Sequence, residues 1–160
     1  MATAALFRYN WQVRDRWLDW CEGVPAGELL QGRSGGWQGI LKTVFHMVDV
    51  EYSWIRTVRG ESEFTEPFER YASLAAVRDL SAEFRPYVAE YVDALDACGR
   101  AELDRRFPAP WDASERLRVE AVLEHVIVHE VHHAGQLSVW AREIGREPVS
   151  ADWLGLPGSE

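Results

Sequence analysis

Cysteine is scarce in this chain. Only Cys21 and Cys98 occur, with no C-x-x-C spacing, which excludes a disulfide framework and a thiolate zinc site and leaves two buried thiols as the expectation. Positive charge is in deficit too: 17 Lys and Arg stand against 26 Asp and Glu, a formal net charge of −9. The counterion release that drives nucleic-acid binding is therefore missing, and no local cluster of basic residues restores it. Long apolar runs are absent as well, nothing approaching the roughly 18 consecutive apolar residues of a membrane span. The opening MATAALFRYNWQVRDRW has neither the basic start nor the unbroken apolar stretch of a secretion signal. A soluble, cytoplasmic protein that contacts neither nucleic acid nor membrane is the expectation.

What is present suits one packed domain spanning residues 1–160. The chain is 47% hydrophobic and 12% aromatic, with eight tryptophans, a globular composition outside the disordered range. Between about residues 3 and 22, Leu6, Tyr9, Val13, Trp17 and Trp20 recur at spacings of three or four with charges between them, which predicts an amphipathic helix. Pro25 and QGRSGG interrupt the pattern, Ser34 being a candidate N-cap, and a second helix is expected from near Trp37 to the VRG at 58–60. Residues 61–72 carry acids, proline and aromatics without a period and read as a long loop. Ser73 can cap a third helix of about 73–98, in which Pro86 predicts a kink. Leu103 to Phe107 could form a short strand before a fourth helix of about 117–145. Four long helices, no convincing sheet and no internal repeat give an all-α protein, a four-helix bundle. Connection lengths alone leave its topology open.

The chemistry concentrates in VIVHEVHHAGQL, residues 126–137. His129 and His133, four apart on a helix, stack on one face with Cβ atoms about 5–6 Å apart, so both imidazoles can close on one ion. A third ligand must come from elsewhere in the chain, and His46, in the middle of the second helix among apolar neighbours, is the candidate. Bundle cores commonly hold metals between facing helices, which favours a bound ion over three hydrogen-bonded core histidines. His125, one turn before His129, is a reserve ligand, and His132 points about 100° away from His133 and is expected to be exposed or to support a ligand. His129, Glu130 and His133 also satisfy H-E-x-x-H, the zinc-protease signature. The extended form of that signature fails, since Gln136 and Val139 stand where glycine and histidine are required, and no sheet edge is at hand to hold a peptide.

The mid-helix histidine of ILKTVFHMVDVEYSWI, the block VLEHVIVHEVHHAGQL and the helix end EIGREP resemble the DinB-like superfamily of metal-binding four-helix bundles, which includes YfiT-like proteins and the bacillithiol and mycothiol transferases. The resemblance covers nearly the whole chain; Ala134 departs from it where a basic residue commonly precedes the Gly-Gln pair. It implies an up-down-down-up bundle, often a homodimer, with a divalent ion, nickel or zinc in the first place, held by His46, His129 and His133 and an open water position. It further implies a low-molecular-weight thiol as cofactor and a small-molecule electrophile as substrate, in an S-transferase or hydrolase. A divalent ion lowers the pKa of a thiol or water bound to it, which makes a nucleophile at neutral pH.

Glu130, Asp49 and Glu51 are weak candidates to move a proton or hold a ligand histidine, each otherwise a solvated acid on an exposed helix face, and Gln136 can add a hydrogen bond. Trp37, Trp54, Trp111 and Trp140 could line a pocket, or be core. The alternative function is non-catalytic: an ion that staples two helices and contributes to folding free energy.

Overall fold

The computed structural model describes residues 2–154. Helix α1, Ala2–Glu22, turns one apolar side inward. A five-residue helix α2, Ala26–Leu30, follows where the sequence suggested only an interruption. The Pro25 carbonyl, accepting from the amides of Glu28 and Leu29 at 2.9 and 3.1 Å, starts it, and Leu29 is its buried anchor.

Helix α3 is Ile40–Val58, later than the expected start at Trp37. The reason is backbone geometry: Gly35, Gly36 and Gln38 all have positive φ (80°, 48° and 62°), which no right-handed helix accommodates. Ser34 is therefore no N-cap; its carbonyl instead accepts the Trp140 indole N–H at 3.3 Å. Gly60, at φ 81°, closes the other end.

Helix α4, Leu74–Asp104, is capped by Ser73, whose hydroxyl accepts from the Ala76 amide at 3.2 Å. The helix runs on through Pro86, and its one departure from helical angles is at Gly99 (φ 64°, ψ −155°), so the expected end near 98 is a break after which helix resumes. Leu103 is consequently helical. The small antiparallel pair is β1, Arg106–Pro108, with β2, Arg116–Arg118, Phe107 opposite Leu117. Helix α5 is Val119–Glu143.

Helix directions follow from which residues meet. Arg8 pairs with Asp93, Asp15 with Arg85, and Asp19 with Arg78, so α1 and α4 are antiparallel. Phe45 stacks on Tyr71, Tyr52 on Phe84, and Arg59 pairs with Glu90, so α3 and α4 are parallel. His46 meets His133 and Trp54 meets His125, which makes α3 and α5 antiparallel. Asn10 donates to the Ile127 carbonyl and Trp20 to that of Glu147, which makes α1 and α5 parallel. The four long helices thus run up, down, down, up, as the resemblance implied. Because α3 and α4 are parallel, the chain between Val58 and Leu74 must return the length of α3, about 28 Å at 1.5 Å per residue. It does so along the bundle surface, seating Phe64, Phe68 and Tyr71 against Phe45.

The interior is divided into two apolar clusters. One surrounds Trp17, Leu41, Phe45 and Leu137; the other surrounds Phe7, Ile55, Val92 and Leu123. Between them lies a buried charged layer of Arg14, Glu51 and Glu130, one from each of α1, α3 and α5. No described helix is long and apolar enough to cross a membrane.

Candidate metal centre

At the level of that charged layer, His46 from α3 and His129 and His133 from α5 turn their Nε2 atoms toward one another. His46 Nε2 is 3.0 Å from His129 Nε2, which is 3.1 Å from His133 Nε2. The three residues offer ligand atoms that all lie within 4.8 Å of one another. With metal–nitrogen bonds of about 2.0–2.1 Å, two imidazole nitrogens sit about 2.9 Å apart at a right angle and about 3.3 Å apart at the tetrahedral angle. The His46–His129 and His129–His133 separations fall between these. The donor set, three imidazoles without thiolate or carboxylate, suits borderline divalent ions. The three histidines are positioned to bind a metal ion.

Their electrostatics agree. Burial, then the neighbouring His129 and His133, pushes His46 down to about 3. Burial, then His133, takes His129 down to about 4, and burial lowers His133 against an opposing hydrogen bond that His133 donates to Gln136. Neutral imidazoles, the form that coordinates, are therefore the resting state at pH 7. Gln136 selects the tautomer of His133. Its Oε1 is 2.7 Å from His133 Nδ1, which must donate, so the Nε2 lone pair is left facing the other two rings. The Gln136 amide N–H₂ in turn donates to His132 Nε2 at 2.9 Å, so His132, exposed as expected, supports the site through Gln136. His125 stays outside the cluster, its ring 5.8 Å from that of His129 and 5.9 Å from that of Trp54.

The loop before α3 closes one side. Trp37 lies over His46, ring centroids 4.0 Å apart and 32° from parallel, while remaining 44% exposed. Gly36 makes this possible, because a Cβ there would run into Gln136 and Trp140. Trp54 and Trp111 line a cavity nearby, whereas Trp140 is core.

The acidic candidates fare differently. Asp49 is half-buried, one turn after His46, accepts from Ser53 Oγ at 2.9 Å, and burial raises its carboxyl pKa. Glu51 and Glu130 are not solvated acids on an exposed face, as the sequence suggested, but lie in the core. Glu51 accepts from Arg14 at 2.7 Å and from the Trp11 indole at 2.8 Å. Glu130 sits 3.4 Å from Arg14 Nε, and neither of its oxygens accepts a hydrogen bond among the described residues. Burial therefore dominates and pushes its carboxyl up to about 8. With Glu130 turned to Arg14, the H-E-x-x-H protease reading lacks the general base it requires.

The charged layer was readable in principle. Phe7, Trp11, Arg14 and Leu18 form one row on α1; Val44, Val48, Glu51 and Ile55 one on α3; Leu123, Ile127, Glu130, Ala134 and Leu137 one on α5. A single charge inside each of three apolar rows is the signal, and it marks residues that must pair with one another. Cys98 also departs from expectation: it is exposed, and only Cys21 is buried.

A helical bundle with three histidines converging from two facing helices defines a class of metal-binding fold. The chain belongs to the DinB family, whose model matches residues 1–160. It is also similar to the Bacillus subtilis (strain 168) protein called "Uncharacterized protein YizA", 44% identical over 149 residues that span 93% of this chain and 92% of that protein.

Proposed function

We propose that His46, His129 and His133 hold one divalent cation through Nε2, nickel or zinc in the first place, in a metal-dependent S-transferase of a low-molecular-weight thiol or a hydrolase of small electrophiles. The observation that carries this is the convergence of three neutral imidazole nitrogens, at 3.0 and 3.1 Å, beside open space. His46 lines a cavity of about 280 Å³ with Trp37, Lys42, Phe45 and Asp49, which favours a reaction centre over a closed structural ion. A bound ion would supply Lewis acidity, lowering the pKa of a thiol or water beside it.

The chain's own residues do the rest. Gln136 orients His133, Trp37 shields His46 from bulk water, and Asp49, reaching the same cavity, is placed to accept a proton from an incoming thiol. The reading includes one domain over residues 1–160, a cytoplasmic location and a homodimer. For the last, Val128, Val131 and Val139 lie exposed along one side of α5.

The test is metal content by mass spectrometry on untagged protein, beside the His129→Ala/His133→Ala variant, followed by thiol-transfer and hydrolysis assays on the loaded protein. Near-stoichiometric metal lost in the variant establishes the site. Absence of metal in both after reconstitution with nickel and zinc would overturn it. Metal without turnover, but with a raised melting temperature, would mean the ion is structural.

A further inference from the structure

Beside the triad, on the side of α3 toward its C-terminal end, lies a second cavity of about 270 Å³. Helix α3 gives it Asp49, Ser53 and Trp54, the crossover segment gives Glu63 and Phe64, and the turn between the strands gives Trp111. It is not remote from the histidines: Asp49 lines both this cavity and the one that His46 lines, and the His125 ring bridges Trp54 to His129.

We propose that this cavity takes the substrate by an ammonium group, so that the molecule handled at the triad is a small amine whose cation sits between Asp49 and Glu63 with its apolar body against Trp54 and Trp111. The inference deepens the functional reading above and rests on the triad being the reaction centre.

Three features carry it. The first is charge without compensation. Neither Asp49 nor Glu63 is ion-paired among the described residues, and no arginine or lysine lines the cavity. Two carboxylates facing one space with apolar walls focus a negative potential there and repel each other until a cation arrives. The second is the wall. Trp111 is 62% exposed, yet its indole N–H is tied to Glu115 Oε2 at 2.6 Å and its ring stands edge-on to Trp54, centroids 6.2 Å apart at 87°. A large aromatic fixed in place at the surface beside another presents π faces that attract an ammonium group. The third is size. At about 270 Å³ and open to solvent on one side, the space is on the scale of an amino acid or aralkylamine. Ser53 Oγ lines the cavity and already donates to Asp49, which fixes that carboxylate in place.

The experiment compares three probes of nearly equal shape: 2-phenylethylammonium, 2-phenylethanol and phenylacetate. Their dissociation constants are measured by tryptophan fluorescence and checked by NMR, on the metal-loaded protein and on the His129→Ala/His133→Ala variant. The expected result is at least tenfold tighter binding of the cation than of the alcohol, weakest binding of the anion, and a preference that shrinks with added salt. Asp49→Asn/Glu63→Gln should abolish the preference. Should that double variant fold poorly, Glu63→Gln alone, at an exposed loop position, should cut it at least threefold. Equal binding of cation and alcohol, tighter binding of the anion, or a preference untouched by these variants would overturn the proposal. The two inferences fail separately: absence of metal from the parent protein after reconstitution, with the cation preference intact, sinks the metal centre alone, and bound metal without the preference sinks the amine site alone.

Discussion

His133 Nδ1 stands 2.7 Å from Gln136 Oε1, and this contact decides which ring nitrogen faces the triad. An amide oxygen can only accept, so His133 is held as the Nδ1–H tautomer with its Nε2 lone pair turned to His46 and His129. Gln136→Ala should therefore weaken metal affinity about 10- to 100-fold without removing a ligand. Competition against a chelator measures this, and unchanged affinity would show that the ring is oriented by packing alone.

Arg14 lies between two buried carboxyl groups, and Glu51 holds it by the shorter contact. Arg14→Met leaves Glu51 without its counter-charge and should cost about 3–5 kcal/mol in urea unfolding. A loss below about 1 kcal/mol would mean that the layer relaxes or admits water.

Glu130 gives a pH dependence of definite sign. Its folded pKa, pushed up to about 8, lies above the unfolded value, so between the two the folded state holds a proton that the unfolded chain has released. The stability it contributes is complete below the ordinary glutamate range, is lost progressively as pH rises from there to about 8, by up to about 1.4 kcal/mol per pH unit while only the unfolded chain has released the proton, and falls no further above 8. Chelator-treated protein should therefore melt progressively lower from about pH 5.5 to 8 and level off above, and Glu130→Gln should flatten that slope. Parallel curves for the two proteins would remove Glu130 as the cause.

The cysteines should react unequally. Cys21 is fully buried, and burial pushes its thiol up to about 12, whereas Cys98 is exposed. Native protein treated with iodoacetamide at pH 8 should gain one adduct, at Cys98, and a second only after denaturation. Rapid modification of Cys21 in the native state would contradict the packing around α1.

Gly36 combines a φ of 48° with a close approach to Gln136 and Trp140. Gly36→Ala should lower stability by about 1 kcal/mol or more and free Trp37 from His46, seen as reduced quenching of tryptophan fluorescence by copper(II) at the triad. Wild-type quenching in the variant would show that Trp37 keeps its place by other means.

The long helices were legible because periodic apolar residues such as Val44, Val48 and Ile55 need only local geometry to be recognised. His129 and His133 were legible for the same reason, sharing one helix face. Nothing local relates His46 to them; its place depends on the antiparallel packing of α3 on α5, which the resemblance supplied. The start of α3 was misjudged because Trp37 continues the apolar pattern while the glycines before it and Gln38 after it adopt angles that forbid a helix. The burial of Glu51 and Glu130 was missed because a carboxylate on an amphipathic helix reads as solvated unless its partner, Arg14 on a third helix, is considered together with it.

The up-down-down-up order also bears on how the chain assembles. Each of α1 and α3 packs chiefly on α4 and α5, so only one of the four main pairings joins helices consecutive in sequence, and those two are parallel. The consecutive antiparallel pairs, α1 with α3 and α4 with α5, meet only weakly, so none of the main pairings can form as a local hairpin and template the others. Loop closure over long stretches of chain must precede the contacts that reward it, so folding should be slower than for an up-and-down bundle of equal length and helicity, whose neighbours are all local.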